Sequence, residues 1–235
     1  MRKIHSLIVL VLVLSCLCSS AFGQAGRNQK VKDHNSFDES WGFGVKASTN
    51  GIGIEVIKGF GEGVNLRIGT SSLNLPYDQI IDVQGFDLLA NAQLGFGGIN
   101  GFIDVHLTPL IHVTGGIIKN NMYHTVRITS AGDFPLGTVE VPASEVGYVL
   151  AELSPEKSFS PYLGIGIGRS LSVKSNFSLN FEIGGIYHGE PQLDLTGDGI
   201  IGPIASEENR RIIMEAIAPY KWYPLLTLQF GIRLK

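Results

Sequence analysis

Charge is scarce in this chain. Asp, Glu, Lys and Arg make up 17 % of 235 residues, against a usual ~25 %. That excludes a charged disordered tail. The 18 Lys and Arg face 21 Asp and Glu, with an isoelectric point near 6.1. No basic surface for nucleic acid is available at that balance. Cysteine is nearly missing: Cys16 and Cys18 are the only two. Beyond the N-terminus no stretch stays apolar for the ~20 residues a spanning helix needs. What the chain does have is 30 glycines and a mean hydropathy of +0.19. The glycines lack the strict three-residue period of collagen.

The N-terminus reads as a secretory signal peptide over residues 1–23. Arg2 and Lys3 precede the apolar run Leu7 to Leu14, and Ala21-Phe22-Gly23 fits a small-residue cleavage site. Cleavage is expected after Gly23. A lipoprotein cut before Cys16 is the alternative, weakened by the bulky Leu14 beside Ser15. Both cysteines fall within the signal, so the exported chain carries no disulfide. Taking Arg2 and Lys3 from the 18 basic residues leaves 16 against 21 acidic ones. Residues 24–39 are polar and without period, and read as a flexible lead-in to one domain over 40–235.

From Trp41 the period becomes two. Trp41, Phe43, Val45 and Ala47 alternate with Gly42, Gly44, Lys46 and Ser48. Asn50-Gly51 signals a hairpin. Ile52, Ile54 and Val56 alternate with Gly53 and Glu55, then Val64, Leu66 and Ile68 with Asn65, Arg67 and Gly69. Phe86 to Leu107 is long for one strand. Ala90, Ala92, Leu94 and Phe96 hold even positions while Ile99, Ile103, Val105 and Leu107 hold odd ones, which reads as a bulge at Gly97-Gly98 or as a turn between two strands. Further strands follow at His112 to Ile128, Tyr162 to Gly168 and Phe177 to Ile183, with the last at Leu226 to Leu234. A short helix is expected over Glu207 to Ile217.

About eight strands of about ten residues, with short and long connections alternating, is the pattern of an all-β, antiparallel, up-and-down transmembrane β-barrel. Ten strands remain an option, with the count open around Val146 to Pro161. A soluble β-sandwich also alternates, but its solvated face would hold more Lys, Glu and Thr and fewer glycines. Inside a narrow barrel, glycine and paired charges fit. Lys46, Arg67 and Arg233 are expected to meet Glu55, Asp104 and Glu182 in the lumen. Trp41, Tyr77, Tyr123, Tyr148, Tyr162, Tyr187, Trp222 and Tyr223 are expected as interfacial aromatics near strand ends.

Enzyme chemistry finds no constellation. The His-x-Ser at His34-Asn35-Ser36 lies in the lead-in, and no serine is spaced to serve His106 or His188. Asp194 and Asp198 sit in half of a calcium-loop pattern, whose twelfth position is Ala205 where a glutamate is required. They are weak metal candidates against a plain Asp- and Gly-rich turn. No cofactor is expected.

The signal peptide, the stretch Pro161-Tyr-Leu-Gly-Ile-Gly-Ile-Gly168, the segment Phe181 to Pro191 and the strand from Tyr223 onward together resemble the small outer-membrane β-barrels of Gram-negative bacteria, the broad OmpA-transmembrane and OmpW-like group. The likeness covers residues 40–235 in texture and not in a single motif. The chain ends Ile232-Arg-Leu-Lys235, where such barrels usually end on an aromatic residue. The resemblance implies location in the outer membrane with both termini in the periplasm, outer-membrane lipid and the barrel-insertion machinery as partners, and no nucleic acid. Three functions remain open: a non-enzymatic barrel with a structural role or narrow passage for a small solute, a surface-binding protein acting through loops 129–145 and 190–220, and a soluble periplasmic carrier.

Overall fold

The computed structural model describes residues 39–83, 86–136, 139–172 and 175–234. The expected signal peptide and all but the last residue of the lead-in lie outside these residues. Thirteen strands form: β1 (Glu39–Ser48), β2 (Gly51–Phe60), β3 (Val64–Val83), β4 (Phe86–His106), β5 (Ile111–Asn120), β6 (Tyr123–Ser130), β7 (Phe134–Leu136), β8 (Val139–Val141), β9 (Tyr148–Ser154), β10 (Phe159–Gly168), β11 (Phe177–Tyr187), β12 (Gln192–Asp198) and β13 (Trp222–Arg233). The helix α1 (Ala143–Val146) follows β8, and α2 (Glu207–Ile217) precedes β13. The bounds of α2 match the expected helix. Ser206 caps it, accepting from the Asn209 amide at 3.3 Å, and Glu207 and Glu208 lie in its first turn.

Eight strands close into a ring in the order β1, β2, β3, β4, β5, β10, β11, β13 and back to β1, every pair antiparallel. Closure leaves no unpaired edge. Outward positions are apolar: Phe43, Val45, Ile54, Ile68, Ile103, Ile117, Ile165, Phe181 and Phe230 are all exposed. Inward positions are mostly polar or glycine, with a group of large apolar residues toward one end. Trp222 and Ile232 mark the ends of the outward row on β13. Ten steps of ~3.3 Å, tilted ~40°, span about 25 Å, the height of an apolar band that crosses a bilayer.

At one end, the mouth, five strands continue upward. The upper parts of β3 and β4 pair with each other, and β6, β9 and β12 follow in order. β2 stops pairing at Ser72, so this wall stands over part of the ring only. Its open edges, β12 and upper β3, are tolerable in water and not in lipid.

The bulge expected at Gly97-Gly98 is absent. The β3–β4 register runs unbroken from Val64↔Val105 through Ser72↔Gly97 to Val83↔Phe86, and no residue is inserted. The environment changes there instead. Below Gly97 the even positions Asn100 and Asp104 face the bore, and the odd apolar ones face out. Above it the same even face carries Ala90, Ala92, Leu94 and Phe96, which line the concave side of the wall, while Asn91 and Gln93 face out. The pattern inverts because the surroundings invert. Register slips do occur, on the strands β9 to β10 and β11 to β12, where the connections 155–158 and 188–191 carry Pro155 and Pro191. The β1–β2 turn is pinned to this boundary: Asn50 Oδ1 accepts from the Gly97 amide at 2.9 Å, and Gly51 adopts φ +109°, a backbone favoured by glycine.

Candidate functional site

The bore holds a buried polar network. Arg67, near the start of β3, is fully buried. Its Nη2 lies 2.6 Å from Glu182 Oε2 and 2.8 Å from Asp104 Oδ1, and its Nη1 is 3.4 Å from Glu55 Oε2. Lys46 Nζ is 2.6 Å from Glu55 Oε1 and donates to Asn100 Oδ1 at 2.6 Å. Thr114 donates between Asp104 at 2.9 Å and Glu182 at 2.8 Å. Five of the six charges expected in the lumen thus meet there. Arg233 does not. It sits at the end of β13, partly exposed. His112 joins the network instead, its Nε2 3.3 Å from Glu182 Oε2.

Inward glycines make this possible. A Cβ at Gly164 or Gly184 would collide with the Tyr162 ring, and one at Gly166 with His112. Opposite register partners Gly164 and Gly184 therefore leave the volume that Tyr162 fills.

Above the network the bore is closed by apolar side chains. Phe102, Ile118, Tyr162, Ile186 and Leu225 form a buried cluster, with Tyr223 packed on it. Phe102 joins the two layers: the Arg67 guanidinium carbon and Lys46 Nζ lie 5.1 Å and 5.7 Å from its ring centre. A gap bordered by Lys46, Asn100 and Phe102 measures about 10 Å³, at the threshold for one water.

The expected aromatics divide. Trp41 is outward near the end that carries the termini. Tyr123, Tyr187 and Trp222 are outward at the mouth, with the Tyr187 and Trp222 ring centres 5.1 Å apart. Tyr162 is 3 % exposed and points inward, donating to Glu182 Oε1 at 2.7 Å. Tyr223 also points inward, and its hydroxyl donates to the Thr49 carbonyl at 2.7 Å. Tyr77 and Tyr148 belong to the wall above the ring, where Arg127 covers Tyr148 at 4.3 Å.

Metal chemistry is poorly served. Asp194 and Asp198 lie four residues apart on β12, ~13 Å along an extended strand, and cannot share an ion. The Asp198 side chain instead accepts from the Gly199 amide at 2.8 Å. Asp104, His112 and Glu182 gather within ligand distance of one another, the two carboxylates as expected in the lumen and His112 in addition. The Arg67 guanidinium already fills the cation position between the two carboxylates. Nor is this a nucleophile site: Ser170 donates to Asp104 Oδ2 at 2.7 Å and not to an imidazole.

A pocket of about 270 Å³ opens at the mouth, where the wall meets the ring. It is walled by Met122, His124, Leu153, His188, Trp222 and Tyr223, among others. Burial pulls the His124 and His188 imidazoles below their ordinary value.

No protein-family model matches the sequence, and no curated protein matches it significantly. Solved structures do. The crystal structure of Acinetobacter baumannii CarO2 superposes with a TM-score of 0.58 at 14 % identity, covering 83 % of this chain and 98 % of that one. Acinetobacter baumannii CarO gives 0.53 at 17 %, covering 81 % and 96 %. At such identity the likeness is one of fold. The closed ring of eight antiparallel strands, apolar outside and polar within, is the fold of the small bacterial outer-membrane β-barrels.

Proposed function

We propose that this chain is a non-enzymatic outer-membrane barrel whose bore is closed, and that it acts at the cell surface through the wall at its mouth. The buried network centred on Arg67 carries this reading. A solute passing through would have to separate Arg67 from three carboxylates and then displace the apolar cluster above. Breaking a buried pair costs about 3–5 kcal/mol.

The outward apolar band supports membrane residence, with Trp41 at one interface and Tyr123, Tyr187 and Trp222 at the other. Export by the signal peptide with cleavage after Gly23, periplasmic termini and insertion by the barrel-insertion machinery belong to the same proposal. The wall, with its edges in water, then lies outside the cell. It favours surface binding over passage, and the apolar outward band counts against a soluble carrier.

Planar-bilayer recording tests the reading. The purified barrel is expected to give no stable single-channel current. Large, long-lived openings by the unmodified chain would refute a closed bore. Cell fractionation and heat-dependent migration on SDS gels test residence; a chain that is carbonate-extractable and migrates identically with and without boiling is no membrane barrel.

A further inference from the structure

We infer that the pocket at the mouth binds a small, flat aromatic acid, with the rings against Leu153, Trp222 and Tyr223 and the carboxylate held by His124 and His188. The inference rests on the closed-bore reading for its geometry, since Tyr223 belongs both to the pocket wall and to the apolar cluster below. The pocket is therefore a blind recess and not the entrance to a channel.

Size bounds the ligand. A dry cavity of ~150 Å³ accepts benzene, and drug-sized ligands take ~300–1,000 Å³. At about 270 Å³ this recess suits one or two fused rings, roughly 10–15 non-hydrogen atoms. Wall chemistry bounds it further. The lining is mostly aromatic, aliphatic and proline, which favours a flat apolar body.

The polar contribution comes from two imidazoles on different segments, His124 on β6 and His188 in the connection after β11. In each ring Nδ1 is buried without a hydrogen-bond partner. We assign Nε2 of each ring to the ligand. Two imidazoles lining one apolar recess match the two oxygens of a carboxylate. Access is from the low side of the rim: β13, β1 and β2 bear no wall, and Trp222 is 58 % exposed.

The chain has two tryptophans, Trp41 and Trp222. In a Trp41→Phe background the fluorescence reports on the pocket alone. The barrel in lipid nanodiscs is titrated with 2-naphthoate and, separately, with neutral 2-methylnaphthalene. Saturable quenching of Trp222 by 2-naphthoate is expected. The double variant His124→Phe/His188→Phe is expected to weaken it roughly 10-fold or more, while binding of 2-methylnaphthalene changes less than about twofold. Leu153→Trp, which fills the recess, is expected to abolish binding of both, read by calorimetry because the added tryptophan obscures Trp222. If Leu153→Trp does not fold, the histidine variant decides alone. Quenching that never saturates, or a double histidine variant that binds the acid unchanged, overturns the inference. A conducting bore that still binds 2-naphthoate would sink the closed-bore reading and leave this one standing.

Discussion

Arg67 on β3 and Glu182 on β11 are 115 residues apart in sequence, yet their charged atoms lie 2.6 Å apart in the centre of the bore. Arg67→Met would leave Glu55, Asp104 and Glu182 facing Lys46 alone. Loss of about 3–5 kcal/mol is expected, read as a shift of the urea midpoint for unfolding from lipid. The double variant Arg67→Met/Glu182→Gln should recover part of that loss. Equal destabilisation by the single and double variants would show that the two side chains are not coupled.

Tyr162 fills space that two glycines vacate. Gly184→Val should push its ring away from Glu182 and cost about 1–3 kcal/mol by overpacking. Tyr162→Phe keeps the ring and removes the hydrogen bond, with a loss of about 1.5–3 kcal/mol expected because the acceptor is a carboxylate. Adding Tyr162→Ala to Gly184→Val tests the steric cause: the valine penalty should shrink once the ring is gone.

The inversion at Gly97 places the edge of the apolar band. Ile103→Lys, on the outward face within the band, should cost about 2–4 kcal/mol in lipid. Gln93→Lys, outward on the same strand but above the boundary, should cost within about 0.5 kcal/mol of nothing. Equal penalties at both positions would mean that the band does not end where the pattern inverts.

Acid should loosen the mouth. Burial holds His124 and His188 below the ordinary ~6.5. The opened state therefore takes up more protons than the folded one as pH falls through that value. Their contribution to local stability is complete above ~6.5 and declines below it. Hydrogen-exchange protection of β6 and β9, corrected for intrinsic rates, should fall between about pH 7.5 and about pH 5.5. His124→Phe should remove part of that dependence. Protection that rises in acid would contradict the assignment.

Period-two alternation made the ring legible, because a strand between lipid and a polar bore must alternate. Trp41 to Ala47 and Leu226 to Leu234 showed it most plainly, and five buried charges could be named from the polar face. The wall was not legible in the same way. On β4 the apolar residues change parity at Gly97, and a one-dimensional pattern cannot separate an inserted residue from a change of surroundings. Cross-strand register makes that distinction. His112 and Thr114 escaped notice because their value lies in partners on other strands. Tyr162 opens a strand with the texture of an interfacial residue, and only the glycines across from it reveal an inward ring. Arg233 had the right face but the wrong height: it is the last residue of β13, two residues past the buried Gly231. The helix α2 was legible in the pattern from Glu207 to Ile217, and the structure adds the Ser206 cap that marks its start.

The wall that stands over β3, β4, β5, β10 and β11 and not over β13, β1 and β2 gives the molecule a front and a back within the plane of a membrane. A ring of strands alone presents much the same profile from every compass direction. This one does not. Neighbouring lipids, a second protein or a diffusing ligand meet either a tall polar back or a low front opening onto an apolar hollow. On the proposed surface-binding reading, rotation about the membrane normal becomes a functional coordinate, and any lasting contact with a neighbour would set which way the hollow faces.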